Sequence, residues 1–151
     1  VAARIIGVGQ AMAGDDGVGI AVARRIRQMR PPAAIEVVEV AEPSALLPLL
    51  TDSASPVVLI DALVDGGTPG RILRLGSGAG ARRGHLLSSH GIGVLEAIEL
   101  ARSLDPENLA QRIEIIGVTI ARPARYGEEL SPGVAHAVER AAAEAIKLAR
   151  A

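Results

Sequence analysis

The 151-residue sequence contains no cysteine, phenylalanine or tryptophan, and its one tyrosine is Tyr126. Each absence closes off a class of chemistry. Without cysteine there are no disulfides, no thiolate nucleophile and no thiolate metal ligands, a usage compatible with a cytoplasmic protein. With almost no aromatic rings, the chain has no platform on which unpaired bases could stack, so nucleic acid is not an expected partner. An excess of either charge is lacking too: 16 Lys and Arg stand against 17 Asp and Glu. A protein that neutralises phosphate backbones needs a basic excess. No apolar run approaches the roughly 20 residues of a membrane span, so no membrane association is expected. No signal-peptide pattern is visible. What the chain does have is aliphatic residues, with 49% of it hydrophobic. The core is therefore built from Ala, Val, Ile and Leu. The length suits one domain over residues 1–151 with one real core. No self-association signal stands out, and a monomer is expected.

Strand-like and helix-like segments alternate. Ala2–Gly7 reads as a short apolar strand entering a glycine turn. Val18, Val22, Ile26 and Met29 recur at helical spacing, which predicts an amphipathic helix from Asp16 to Arg30, stopped by Pro31-Pro32. Ile35–Val40 reads as a strand, and Ser44–Leu50 as a short helix with Ser44 as its N-cap. Val57–Asp61 is the continuous apolar run of a buried parallel strand. A turn over 66–70 leads to an edge strand at Arg71–Leu75, and 76–83 reads as a loop. Helices are expected over Gly91–Ser103 and from Ser131-Pro132 onward, with Ser131 as N-cap and Pro132 at the first helical position. A strand at Arg112–Ile120 and a loop at 121–130 lie between them. The alternation predicts an α/β fold: three layers, α/β/α, around a twisted, mostly parallel sheet of about five strands.

The stretch from Gly7 to Gly19, Gly-Val-Gly-Gln-Ala-Met-Ala-Gly-Asp-Asp-Gly-Val-Gly, carries the most information. A phosphate-binding loop presents N–H groups and a helix N-terminus to an anion. Here Asp15 and Asp16 already occupy that place, so the loop suits a cation or a cationic group. In a parallel sheet, sites form beyond the carboxyl ends of the strands. Asp16 follows the first strand, Asp61 ends the third, and His90 in Ser88-Ser89-His90 precedes a helix. Singly, each has an ordinary reading as a first-turn acid, a turn or cap residue, or a structural histidine. Together, two carboxylates and an imidazole can hold a divalent metal with positions left open. Nickel, zinc, manganese and iron would all tolerate these donors. Asp15, Gly9 and Gln10 support the loop. Glu42, after the second strand, lies at the same edge, as an acid that supports the site or recognises a substrate. His85 and His136 read as surface and structural residues, and Asp65 as part of the turn before Gly66.

At these residues the sequence resembles the hydrogenase maturation proteases. The first motif of that family, Gly-x-Gly-Asn-x-Leu-x-x-Asp-Asp/Glu-x-x-Gly, corresponds to Gly7–Gly19. The second, an aspartate ending an apolar strand before a Gly/Pro turn, corresponds to Asp61 with 66–70. Ser88-Ser89-His90 and Leu130-Ser131-Pro132 match the third and fourth. Gln10 stands in place of the usual Asn, Met12 in place of Leu, and Glu42-Pro43-Ser44 departs from the Asp-Gly-Gly-Thr form of some members. The resemblance implies an endopeptidase that removes the C-terminal extension of a nickel-iron hydrogenase large-subunit precursor after nickel insertion. It also implies that Asp16, Asp61 and His90 engage nickel supplied by that substrate, with no permanently bound cofactor.

Residues adjacent in sequence rarely form a catalytic triad, which argues against Ser88 or Ser89 with His90 as a serine protease. A carboxylate-assisted route, with Asp16 or Asp61 activating water, is the expected chemistry of such an aspartyl-type endopeptidase. Three other readings use the same features. One is a nucleotide-binding domain with Glu39 on a ribose, although Met12 replaces its third glycine. Another is a hydrolase with its own divalent ion. The last is a hydrogenase-subunit chaperone that does not cut.

Overall fold

A computed structural model describes residues 2–76, 87–88, 93–121 and 129–151. Among these residues six strands form one sheet: β1 (Ala3–Val8), β2 (Ile35–Val40), β3 (Val57–Val64), β4 (Ile72–Gly76), β5 (Leu87–Ser88) and β6 (Ile113–Thr119). The main path runs β2-β1-β3-β6-β4, and β5 pairs with β3. β1 lies parallel to β2 and β3, and β3 parallel to β6, while β4 and β5 pair antiparallel to β6 and β3. The α-helices among the described residues are α1 (Val18–Gln28), α2 (Leu46–Leu50), α3 (Val94–Leu104) and α4 (Pro132–Arg150).

Alternation along the strands builds two cores, one on each face of the sheet. Ile5, Val58, Ile60, Ile116 and Val118 face Val22 and Ile26 of α1 and Val134 and Ala141 of α4. Ile6, Val8, Val57, Leu59 and Ile115 face Leu46 and Leu50 of α2 and Ile98 and Ala101 of α3. Both sides of β1 are covered, so Ile5 and Ile6 are each fully buried. This is the expected three-layer arrangement.

Local chemistry shifts several boundaries. The helix expected from Asp16 begins as a 3-10 turn, Gly14–Gly17, and becomes α-helical at Val18. It ends at Gln28, ahead of Pro31, because Arg30 turns left-handed at φ 51°. The segment expected as Ser44–Leu50 splits into a 3-10 turn, Pro43–Ala45, and α2, so Ser44 lies inside the turn and Glu42 takes the N-cap position. Asp61 does not end its strand. Pairing with β6 continues through Asp61↔Gly117, Ala62↔Val118 and Leu63↔Thr119 and carries β3 to Val64.

At the opposite end of the sheet Arg4 is 6% exposed. It donates to Glu36, to Asp52 at 2.6 Å and to the Leu49 carbonyl at 2.8 Å. Burial opposes its charge, but the two carboxylates outweigh that and raise its pKa. A buried cation is tolerated only with such partners.

Candidate functional site

The loop between β1 and α1 is shaped by close backbone approach. Gly9 adopts φ +145°, and a Cβ there would come within 2.5 Å of the Asp16 carbonyl oxygen. Gly19 lies between two strands, where a Cβ would meet the Ile60 carbonyl oxygen at 2.4 Å and that of Val8 at 2.5 Å. Only glycine lets the start of α1 seat directly on β1 and β3. The 3-10 turn that carries Asp16 therefore packs beside β3, the strand that carries Asp61.

The two aspartates differ in environment. Asp61 is 1% exposed, and one of its oxygens accepts the Ala62 N–H at 2.8 Å. It lies one residue past the last β1–β3 pair, Gly7↔Ile60, on the edge that β5 then takes over through Leu63↔Ser88. Asp16 is 8% exposed, and its Oδ1 is buried with no hydrogen-bond partner among the described residues. Leaving a carboxylate oxygen buried and unpaired costs stability. Such an atom is a ready acceptor for a cation.

Asp15, read from the sequence only as a support, has a specific task. Its Oδ1 accepts the Ser131 N–H at 2.7 Å, and its Oδ2 accepts the Ser131 hydroxyl at 2.8 Å. Ser131 does occupy the N-cap position of α4, but its hydroxyl makes no cap bond. That hydroxyl is committed to Asp15.

Beside the loop runs an open groove of about 490 Å³. Gln10, Met12, Ile20, Arg24 and Glu39 are among the residues that line it. Gln10 is exposed there, and Met12 is 55% exposed. On the groove's polar wall Arg24 pairs with Glu39 at 3.3 Å, and Arg27 pairs with the same carboxylate. Burial works against the charged form of Glu39, but the two guanidiniums prevail and hold its pKa below the usual range. In the nucleotide-binding alternative Glu39 would hold a ribose. Its commitment to Arg24 and Arg27 leaves it poorly placed for that.

The remaining sequence candidates fall in three groups. His90, His85 and Ser89 lie outside the described residues, as does Tyr126. Glu42 is exposed at the carboxyl end of the edge strand β2, and His136 is exposed on α4. Asp65 accepts the Gly67 N–H at 2.9 Å and pairs with Arg71, as a turn residue does. Among the described residues, no three His, Asp or Glu side chains form a metal-sized cluster. No described helix is long and apolar enough to cross a membrane.

A family model described as hydrogenase maturation protease matches residues 20–148. That span includes Asp61 and His90 but begins after Asp16. Protein FrxA of Pyrococcus furiosus is 29% identical over 130 residues, covering 85% of this chain and 90% of its own. The [NiFe] hydrogenase maturation protease HybD from Thermococcus kodakarensis superposes with a TM-score of 0.80 at 25% identity, covering 99% of both chains. The hydrogenase maturating endopeptidase HybD from E. coli has the same TM-score at 20% identity, over 99% of this chain and 93% of its own.

Proposed function

The chain belongs to the hydrogenase maturation protease family, and from that premise we propose that it removes the C-terminal extension of a nickel-iron hydrogenase large-subunit precursor once nickel is in place. The observation that carries this reading is Asp16 Oδ1, a buried acceptor with no partner among the described residues. A protein tolerates such an atom where a ligand completes it. Oxygen and imidazole donors suit nickel. Nickel held by the precursor would bring its own ligands, so the protease needs only a partial set: Asp16, Asp61 and His90. Partial ligation suits a test of whether the substrate is loaded.

In this reading Asp16 and Asp61 share the chemistry. One carboxylate takes a proton from the attacking water, while substrate nickel fixes the position of the tail. Asp61 is buried in the body of β3, and its strand is paired on both sides at Leu63. That makes it the rigid member of the pair. The groove beside Met12 is continuous with the Asp16 loop through Gly9 and Gln10. It receives a short apolar segment of the precursor chain. Gln10 stands at its wall, where a side-chain amide can hydrogen-bond an extended backbone.

Intact mass spectrometry of a cognate precursor tests the proposal, with and without nickel and with Asp16→Ala alongside. Loss of a C-terminal peptide only with the unmodified protein, and only from nickel-loaded precursor, is the expected result. Stable complex formation with no change of mass in any arm would replace the protease with a chaperone.

A further inference from the structure

The Leu130-Ser131-Pro132 motif has no part in the chemistry above, yet it bonds directly to the turn that carries Asp16. Leu130 packs against the core under α1 and lines a 130 Å³ pocket with Ala11, Gly17 and Ile20. Ser131 gives both its N–H and its hydroxyl to Asp15, across 116 residues of sequence. Pro132 starts α4, a 19-residue helix whose Val134, Ala137 and Ala141 are fully buried. At Gly70 a Cβ would come within 2.3 Å of the Gly133 carbonyl oxygen, so the first turn of α4 is also pressed against the turn before β4. The anchor is rigid.

The turn it holds has reason to move. Gly14–Gly17 is four residues long, and Asp16 Oδ1 would gain water by swinging outward. A four-residue 3-10 turn has little cooperative stability of its own. The Asp15 carboxylate opposes that motion with two charge-assisted hydrogen bonds to the N-terminal end of α4, where the helix dipole also favours an anion.

We propose that Asp15 is a positioning residue: clamped by Ser131, it holds the neighbouring Asp16 carboxylate buried and aimed for substrate metal. The proposal rests on the proposed role of Asp16. It makes Ser131 the second half of the clamp, and it gives the fourth motif a physical reason.

The test uses the full chain and nickel-loaded precursor, with Asp15→Ala, Ser131→Ala, the double variant and Ser131→Thr. Asp15→Ala is expected to lower kcat/KM by about tenfold or more while circular dichroism reports a fully folded protein at the assay temperature. Ser131→Ala keeps the backbone N–H and loses less. The double variant is no worse than Asp15→Ala, because both act through one clamp. Ser131→Thr restores cleavage. Unchanged kcat/KM in a folded Asp15→Ala protein, or fully additive losses in the double variant, would overturn the proposal. Amide hydrogen exchange separates it from the parent reading. If the unmodified protein cleaves nothing, the function fails, and exchange at residues 14–17 then decides the clamp. Faster exchange there in Asp15→Ala, with α3 unchanged, upholds it, and unchanged exchange rejects it.

Discussion

Asp61 of β3 stands directly opposite Gly117 of β6, and the space left by the absent side chain at 117 is filled by Leu63. A Cβ on Gly117 would come within 2.0 Å of Leu63 Cδ1 and 2.7 Å of its Cγ. Leu63 is two residues from Asp61 on the same face of the strand. The smallest residue of β6 thus lets a leucine cover the sheet beside a buried carboxylate.

Gly117→Ala tests this packing. The obstructing atoms belong to a side chain that can change rotamer, so the loss is expected near 1 kcal/mol. Gly19→Ala meets the carbonyl oxygens of Ile60 and Val8, which cannot move without the sheet. Its loss is expected to be about 3 kcal/mol or more. Urea denaturation of both variants checks the order, and equal losses would contradict it.

Asp16→Asn should separate stability from function. The substitution keeps the shape and removes a charge from a site where one oxygen is buried without a partner among the described residues. Stability is expected to rise by about 1 kcal/mol, as at other sites shaped for a ligand rather than for the fold. Cleavage of the nickel-loaded precursor is expected to fall at least 100-fold or so, because one developing charge loses its fixed carboxylate. Denaturant midpoints and intact mass report the two effects side by side, and a destabilised but active variant would argue against a metal-facing role.

How far the sequence alone reached differs from residue to residue. Ile35–Val40 has the bounds read from its sequence, where Glu36 and Glu39 interleave β-branched residues, and the layer order follows from the strand–helix alternation. Asp61 is legible in the sequence as a candidate site residue, but a carboxylate in an apolar run reads as a terminator, and only the pairing with β6 explains why β3 continues to Val64. Two-residue β5 leaves no periodicity to read. Asp15 and Asp16 look equivalent in sequence. Their separation into a clamp and a buried open acceptor depends on Ser131, a partner no local pattern reveals. Ser131 itself matches the cap rule by position while its hydroxyl serves another carboxylate.

The groove makes a kinetic prediction. Met12 is 55% exposed on its wall and belongs to neither core, so Met12→Glu should leave the fold intact. A charge there penalises an apolar segment of the precursor. KM is expected to rise about tenfold with kcat nearly unchanged, the mark of lost uniform binding. A fall in kcat at constant KM would instead place Met12 among residues that act on the reacting bond.

Acid is expected to loosen the Arg4 cluster. The hydrogen bond from Arg4 holds the Asp52 carboxyl below its ordinary value of 3.8. A depressed carboxyl contributes stability that is fully present above the unfolded value and is lost as pH falls through the folded one. Asp52→Asn is therefore expected to destabilise modestly at neutral pH, since Asp52 is 43% exposed and solvent screens the pair. The difference from the unmodified protein should shrink below about pH 4 and vanish once Asp52 is protonated in both states. Thermal midpoints measured from pH 7 to pH 3 check this, and a constant difference across that range would remove Asp52 from the account.

Chelation distinguishes substrate metal from a resident ion. Asp61 already spends one oxygen on the Ala62 N–H, and Asp16 offers one buried oxygen without a partner among the described residues. With one imidazole added, that set falls short of the four ligands of a closed structural site and would hold a free ion weakly. Protease treated with chelator, desalted and mixed with nickel-loaded precursor is expected to cleave at its untreated rate. Precursor stripped of nickel is expected to resist cleavage even when the protease has been preincubated with nickel and desalted. The opposite pattern would assign the metal to the enzyme. Asp16, Asp61 and His90 would then serve a hydrolase with its own ion, and substrate loading would no longer control the cut.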